Sequence, residues 1–194
     1  MAVNLVKGQK ISLEKEAGTK LTKVTMGLGW DVIKKKSFLG LGSGKAENVD
    51  LDASCIMFSA DNKQVDAAWF VQLRSLDGSI VHTGDNRTGE GEGDDEQIIV
   101  DLARVPEKVK TLMFVVNSFT GQNFSQVENA FCRIVDQTSG REIARYQLTG
   151  QGNHTAQIMA KLYRHNNEWK MQAIGEYAQG RTFQDLMPVM NAYL

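Results

Sequence analysis

The chain has 194 residues, 42% of them hydrophobic, with 22 Lys and Arg against 23 Asp and Glu and a formal charge of −1. That composition suits one globular domain spanning residues 1–194 and excludes a disordered chain. So even a charge balance also excludes a general nucleic-acid binder, which needs a clustered basic surface to neutralise phosphates.

The N-terminus, Met1-Ala2-Val3-Asn4-Leu5-Val6-Lys7, lacks the basic start, long apolar run and small-residue cleavage site of a secretory signal. No stretch reaches the roughly 18 apolar residues needed to span a bilayer. A soluble, cytoplasmic protein without a transmembrane segment is the expectation. Leu21 to Leu28 alternates apolar and polar residues as a half-buried strand does, and Gly27-Leu28-Gly29-Trp30-Asp31 closes it. Next, Lys34-Lys35-Lys36-Ser37-Phe38-Leu39-Gly40-Leu41-Gly42-Ser43-Gly44-Lys45 joins three lysines to an apolar, glycine-rich tip. Two readings stand for it: a solvated loop, or a contact with an anionic membrane surface or acidic partner.

Leu51 to Phe58 reads as a short apolar strand entered through Asp50 and Asp52, whose spacing puts both carboxylates on one side and Leu51 on the other. Ala67 to Leu73, Ile98 to Leu102, Thr111 to Ser118 and Ala130 to Asp136 continue the pattern, and Asp77-Gly78 is a hairpin turn leading into Ser79 to Thr83. Ala144 to Leu148, Thr155 to Arg164 and Glu168 to Glu176 follow, the last two joined at His165-Asn166-Asn167. Short strands broken by turn residues predict an all-β fold, an antiparallel β-sandwich. A short C-terminal helix should begin at Thr182 as N-cap with Asp185 at its third position, and Pro188 is tolerable in the first turn. Cys55 and Cys132 lie in apolar strand contexts and read as buried, reduced thiols.

The chemistry-bearing segment is Gly84-Asp85-Asn86-Arg87-Thr88-Gly89-Glu90-Gly91-Glu92-Gly93-Asp94-Asp95-Glu96, six carboxylates and four glycines between two strands. Two like charges about 4 Å apart repel by about 4 kcal/mol near a protein surface, and a divalent ion held by several oxygens turns that repulsion into attraction. The rival reading is a solvated acidic turn. Asp85 to Glu96 has the length of an EF-hand loop, but Arg87 and Gly89 stand where ligands belong and Glu90 where glycine belongs. Gly91-Glu92-Gly93-Asp94-Asp95 echoes a calcium-binding β-roll repeat without a second copy to stack on. Asp31, Asp50, Asp52, Asn117, Glu128 and Asn129 close or open other strands and could converge with the segment, although each also suits an ordinary turn or cap. Of the three histidines, His82 lies nearest, and it reads as a half-exposed strand residue because none of the three shares a metal-ligand spacing with another.

Gly27-Leu28-Gly29-Trp30-Asp31, Val49-Asp50-Leu51-Asp52-Ala53, the acidic segment, Val116-Asn117-Ser118-Phe119 and Val127-Glu128-Asn129-Ala130-Phe131-Cys132-Arg133 together resemble the TerD-type family of tellurium-resistance and stress proteins. The resemblance runs over nearly the whole chain, and the insertion after Asp31 leans toward the TerZ branch. It implies a cytoplasmic β-sandwich, peripheral to the inner membrane, that binds Ca2+ at two neighbouring sites and is not an enzyme. Carried onto matching positions, the metal ligands would be Asp85, Asn86, Glu90, Asp94, Asp95 and Glu96, with Asp31, Asp50 and Asp52 beside them. Arg87 departs from the apolar residue common at its position. The implied partners are related TerD-type proteins and a membrane component of the resistance system. A metal-dependent hydrolase or transferase using the carboxylate cluster is the alternative, and direct binding or reduction of tellurium oxyanions a third, disfavoured at an acidic loop that repels anions.

Overall fold

In a computed structural model, residues 2–32, 50–84, 93–148 and 152–194 are described. Among the described residues, twelve strands are distributed over two sheets. They are β1 (Val3–Leu5), β2 (Lys10–Ser12), β3 (Lys23–Val32), β4 (Leu51–Ser59), β5 (Gln64–Ala68), β6 (Ile80–His82), β7 (Glu96–Asp101), β8 (Val109–Ser118), β9 (Val127–Asp136), β10 (Glu142–Gln147), β11 (Ala156–His165) and β12 (Glu168–Ala178). Helix α1 (Leu13–Ala17) follows β2, and α2 (Met187–Met190) lies near the C-terminus. The first sheet has the order β1-β10-β9-β3-β7-β6 and the second β2-β12-β11-β8-β4-β5. The fold is the expected antiparallel sandwich with a short C-terminal helix, except that the edge pair β1–β10 runs parallel.

Alternation sets the layers. On β3, Val24, Met26, Leu28 and Trp30 enter the space between the sheets, where they meet Leu51, Ala53, Cys55 and Met57 of β4 and Leu112, Phe114 and Val116 of β8. β4 is buried on both faces, because Ile56 and Phe58 on its other side are covered by Phe183, Leu186 and Met190 of the C-terminal segment. This second layer accounts for the unbroken apolar run of β4, which would otherwise alternate. Cys55 and Cys132 are both fully buried. Among the described residues, no helix is long and apolar enough to cross a membrane.

Several boundaries differ from the sequence reading. Residues Val3–Leu5, Lys10–Ser12 and the helix Leu13–Ala17 form although no signal marked them; Ser12 caps that helix by accepting from the Lys15 N–H. The strand read at Ala67 to Leu73 ends at Ala68, since Trp69 and Gln72 exchange backbone hydrogen bonds and reverse the chain. The Asp77-Gly78 turn is present, with the Gly78 N–H donating to the Ser75 carbonyl and Gly78 at φ 70°, a conformation that favours glycine. Asn166 and Asn167 take φ of 51° and 62°, making the tight β11–β12 hairpin. At the C-terminus the Asp185 carboxylate accepts from the Arg181 and Thr182 N–H groups, so residues 182–186 form turns and α2 starts only at Met187 with Pro188 in its first turn.

Candidate functional site

The strand ends flanking the acidic segment gather at one end of the sandwich. β3 runs out at Asp31 opposite Glu128 of β9, and Leu28 stands opposite Glu96, the first residue of β7. In the other sheet Leu51 and Asp52 face Ser118 and Asn117 of β8, and Asn117 faces Ala156 of β11. A hydrogen bond of 2.6 Å from the Ala53 N–H to the Glu96 carboxylate ties the two sheets together here. Asp85, Asn86 and Glu90, like Arg87 and the Lys34 to Lys45 segment, lie outside the described residues.

The three consecutive acids Asp94, Asp95 and Glu96 go three ways. Asp94 lies over the outer face of the first sheet, where Arg133 donates from Nε to Oδ1 at 2.7 Å and from Nη2 to Oδ2 at 3.1 Å, and Gln97 Nε2 donates at 3.3 Å. Glycine makes this possible: a Cβ on Gly27 would sit 2.2 Å from Asp94 Oδ2, while at Gly29 the Phe131 ring and the Gly93 carbonyl fill the equivalent space. Arg133 also donates to Glu142 at 3.0 Å, and Glu142 in turn holds Arg145, whose guanidinium lies 4.0 Å from the Phe131 ring centroid. The Asp94 carboxylate beside it holds the Arg133 guanidinium above its ordinary pKa, against partial burial, with Glu142 assisting.

Asp95 folds back onto β3. Its N–H donates to the Leu28 carbonyl and its carboxylate accepts from the Trp30 N–H, both at 2.8 Å. Burial raises the Asp95 carboxyl above its usual range; the Trp30 N–H opposes this, and the charges of Asp31 and Asp94 add to the rise. Asp31 itself is exposed past a bulge in β3 and accepts from Asn129 Nδ2 at 2.7 Å, with Asn129 held at φ 54°.

Glu96 points inward. Its carboxylate stands 3.4 Å from His82 Nε2, and both side chains are completely buried. His82 Nδ1 accepts from the Gly84 N–H at 3.1 Å, which requires the neutral ring's proton on Nε2, facing Glu96. Against the half-exposed position expected from sequence, His82 shares the inward phase of Ile80, and that two-residue spacing is the signal in the sequence that marks it. Asp52 goes the opposite way from Ala53, onto the outer side of the second sheet, where its cross-strand neighbour Asn117 donates to the Arg181 carbonyl at 2.7 Å. Asp50 is half-buried just before β4.

The candidates are therefore spread over three surfaces. Asp31, Asp94 and Asp95 neighbour one another on the first sheet, Glu96 lies between the sheets, and Asp52 lies beyond the second. Among the described residues, no three acidic, histidine or cysteine side chains meet as a metal-binding group. Arg133, quoted in a motif but given no role from sequence, is the residue that organises the outer face.

A family model described as TerD domain matches residues 1–189. The chain is 50% identical to tellurium resistance protein TerZ of Serratia marcescens over 95% of its own length and 94% of that protein's. It is 40% identical to stress response protein SCP2 of Bacillus subtilis (strain 168), covering 96% of this chain and 98% of the relative. In fold it matches the crystal structure of a homologue of telluride resistance protein TerD from Streptomyces coelicolor A3(2), with a TM-score of 0.70 at 20% identity over 88% of this chain and 98% of the other.

Proposed function

The chain belongs to the TerD family, and from that premise we propose that it is a calcium-binding, non-enzymatic module of a bacterial tellurite-resistance and stress-response system. The observation that carries the calcium reading is the crowding at Asp95. Its carboxyl is pushed up by burial and by Asp31 and Asp94, at the strand ends that flank residues 85–92. A cation beside Asp95 reverses the sign of those interactions, and a flexible set of hard oxygen donors suits calcium better than magnesium. Asp31 and Asp95 offer carboxylate oxygens from β3 and the turn before β7, with Asp85, Asn86 and Glu90 from the adjoining segment and Asp50 from the neighbouring strand mouth, while Asp52, turned to the outer side of the second sheet, stands apart from this set. Asp94 and Glu96 serve the site from behind, since Arg133 and the Ala53 N–H already engage them.

Calcium in this reading orders a binding surface for related TerD-type proteins and for a membrane component, which brings the protein to the inner-membrane surface. The hydrolase alternative gains nothing from the geometry: His82, the histidine nearest the acidic segment, is buried against Glu96, away from solvent. Titration calorimetry of chelator-stripped protein with calcium and with magnesium tests the proposal. Calcium at 100 times its dissociation constant should stabilise the fold by about 2.7 kcal/mol. For a domain of this size that raises the melting temperature by about 5–10 °C. Asp95→Asn should abolish the gain. Calcium that gives neither heat nor a melting shift defeats the reading.

A further inference from the structure

At the far end of the same outer face, the first sheet carries a recess of about 260 Å³ in which Lys23, Arg74 and Arg104 face a single acid, Asp101. The recess sits where β3 begins, eight residues from Asp31, which is about 26 Å along an extended strand. Its basic side chains come from three separate elements: Lys23 opens β3, Arg74 bridges to Val81 beside β6, and Arg104 follows β7. A Cβ on Gly78 would lie 3.5 Å from one Arg104 guanidinium nitrogen and 3.8 Å from one of Arg74, so the two guanidinium groups converge over the turn. Among the described residues, none of these three cations makes an ion pair. The Arg104 guanidinium donates to the Asp77 carbonyl at 3.4 Å, and the Arg104 N–H to the Asp101 carboxylate at 3.2 Å.

A further feature bears on the ligand. The floor is apolar, because Val81 and Ile99 stand directly opposite each other on β6 and β7 with their side chains turned outward and half-buried. Converging guanidinium groups match the oxygen geometry of a phosphate, and an apolar floor matches the body that carries it.

We propose that this recess binds the phosphate monoester of a small molecule, the phosphate between Arg74, Arg104 and Lys23 and the apolar body over Val81 and Ile99. The site is independent of the calcium reading, since its distance from Asp31 far exceeds the Debye length of about 8 Å.

Amide chemical shifts of the full chain, titrated with phenyl phosphate and separately with inorganic phosphate at fixed ionic strength without added calcium, test this. Saturable shifts at Gly78, Ser79, Val81 and Ile99 are expected, with phenyl phosphate binding at least about threefold tighter because its ring removes apolar floor from water. Arg74→Gln with Arg104→Gln should weaken both ligands at least about tenfold, the loss of one charge-assisted hydrogen bond. Lys23→Gln gives a second, singly changed variant with a smaller loss. All three side chains are exposed, so the fold should survive, and the thermal melt checks it. Absence of saturation, or affinities unchanged in the variants, overturns the site. Equal affinity for the two ligands overturns its assignment to a monoester.

Discussion

Gly27→Ala is the sharpest perturbation the outer face allows. The new methyl would stand 2.2 Å from Asp94 Oδ2, 2.3 Å from Cγ and 2.5 Å from Oδ1, far inside contact distance. Asp94 cannot swing away cheaply, because Arg133 and Gln97 hold it with three hydrogen bonds and its side chain is only 2% exposed. Overpacking of this kind costs about 1–3 kcal/mol. Breaking a charge-assisted bond adds about 1.5–3 kcal/mol, which must be discounted because Arg133 is 26% exposed and screened by solvent. A net loss of about 2–4 kcal/mol follows, or a fall in melting temperature of about 5–15 °C for a domain of this size. Urea unfolding of a double-mutant cycle with Asp94→Ala isolates the cause. Without the carboxylate the three nearest atoms to the methyl are gone, and alanine in a strand is better than glycine by about 0.5–1 kcal/mol. The second substitution should therefore be neutral or stabilising in the Asp94→Ala background, giving a coupling of at least about 2 kcal/mol. Additivity within about 0.5 kcal/mol would refute the account of why glycine occupies this position.

Three further outcomes follow from the same geometry. Glu96→Ala should cost about 2–4 kcal/mol by stranding the buried Ala53 N–H and emptying the space before His82, whereas Glu96→Gln, which keeps an acceptor, should cost less than half as much; equal losses in denaturant unfolding would contradict the role given to the Ala53 bond. Arg145 and Arg133 hold the Glu142 carboxyl below its ordinary range against partial burial, so its contribution is present above the unfolded carboxylate pKa and is lost as pH falls through the folded value. Acid unfolding between about pH 5 and pH 2 should thus be shallower for Glu142→Gln than for the native chain, and parallel curves would deny the linkage. Burial pushes the Cys132 thiol up to about 12 despite Arg145, and raises Cys55 as well, so iodoacetamide at pH 8 should label neither cysteine until the protein unfolds. Labelling faster than global unfolding would place a thiol at the surface.

The elements legible in the sequence are those whose pattern is local. β3, β8, β9, β11 and β12 alternate or run apolar over ten or more residues and are bounded by turn residues, so their positions follow from period alone. β1 and β2 have three residues each and exist because β10 and β12 offer edges to pair with, a cause invisible in Val3–Leu5 or Lys10–Ser12. At Trp69 a local apolar run misled: the indole packs edge-on against Phe183 at 5.1 Å, so Trp69 serves the layer under the C-terminal segment and not a continuing strand. The helix start at Thr182 failed for a related reason. Asp185 turns its carboxylate back to the Arg181 and Thr182 N–H groups, and the turn this makes is one that composition alone does not distinguish from a helix cap.

The acidic segment shows why counting carboxylates overstates a site. Strand phase sends Glu96 inward with Ile98 and Val100, where it accepts the Ala53 N–H and faces the His82 imidazole. Gly93, at φ 107°, bends the chain just before Asp94, which meets Arg133 on the opposite side of the sheet. Asp95 lies beside Asp31 with its carboxyl driven up by burial. Asp52 obeys the same phase rule on β4: since Ala53 must face Glu96 to join the sheets, Asp52 must face away from it. A cation at this end would therefore draw on Asp31 and Asp95, past the β3 bulge and in the turn before β7, while Asp94 and Glu96 would position those ligands by holding Arg133 and the Ala53 N–H. Asp31→Asn and Asp95→Asn should then abolish calcium binding in titration calorimetry with little loss of apo stability. Asp94→Asn should mainly lower the melting temperature, and a variant set with that order reversed would return the central role to Asp94.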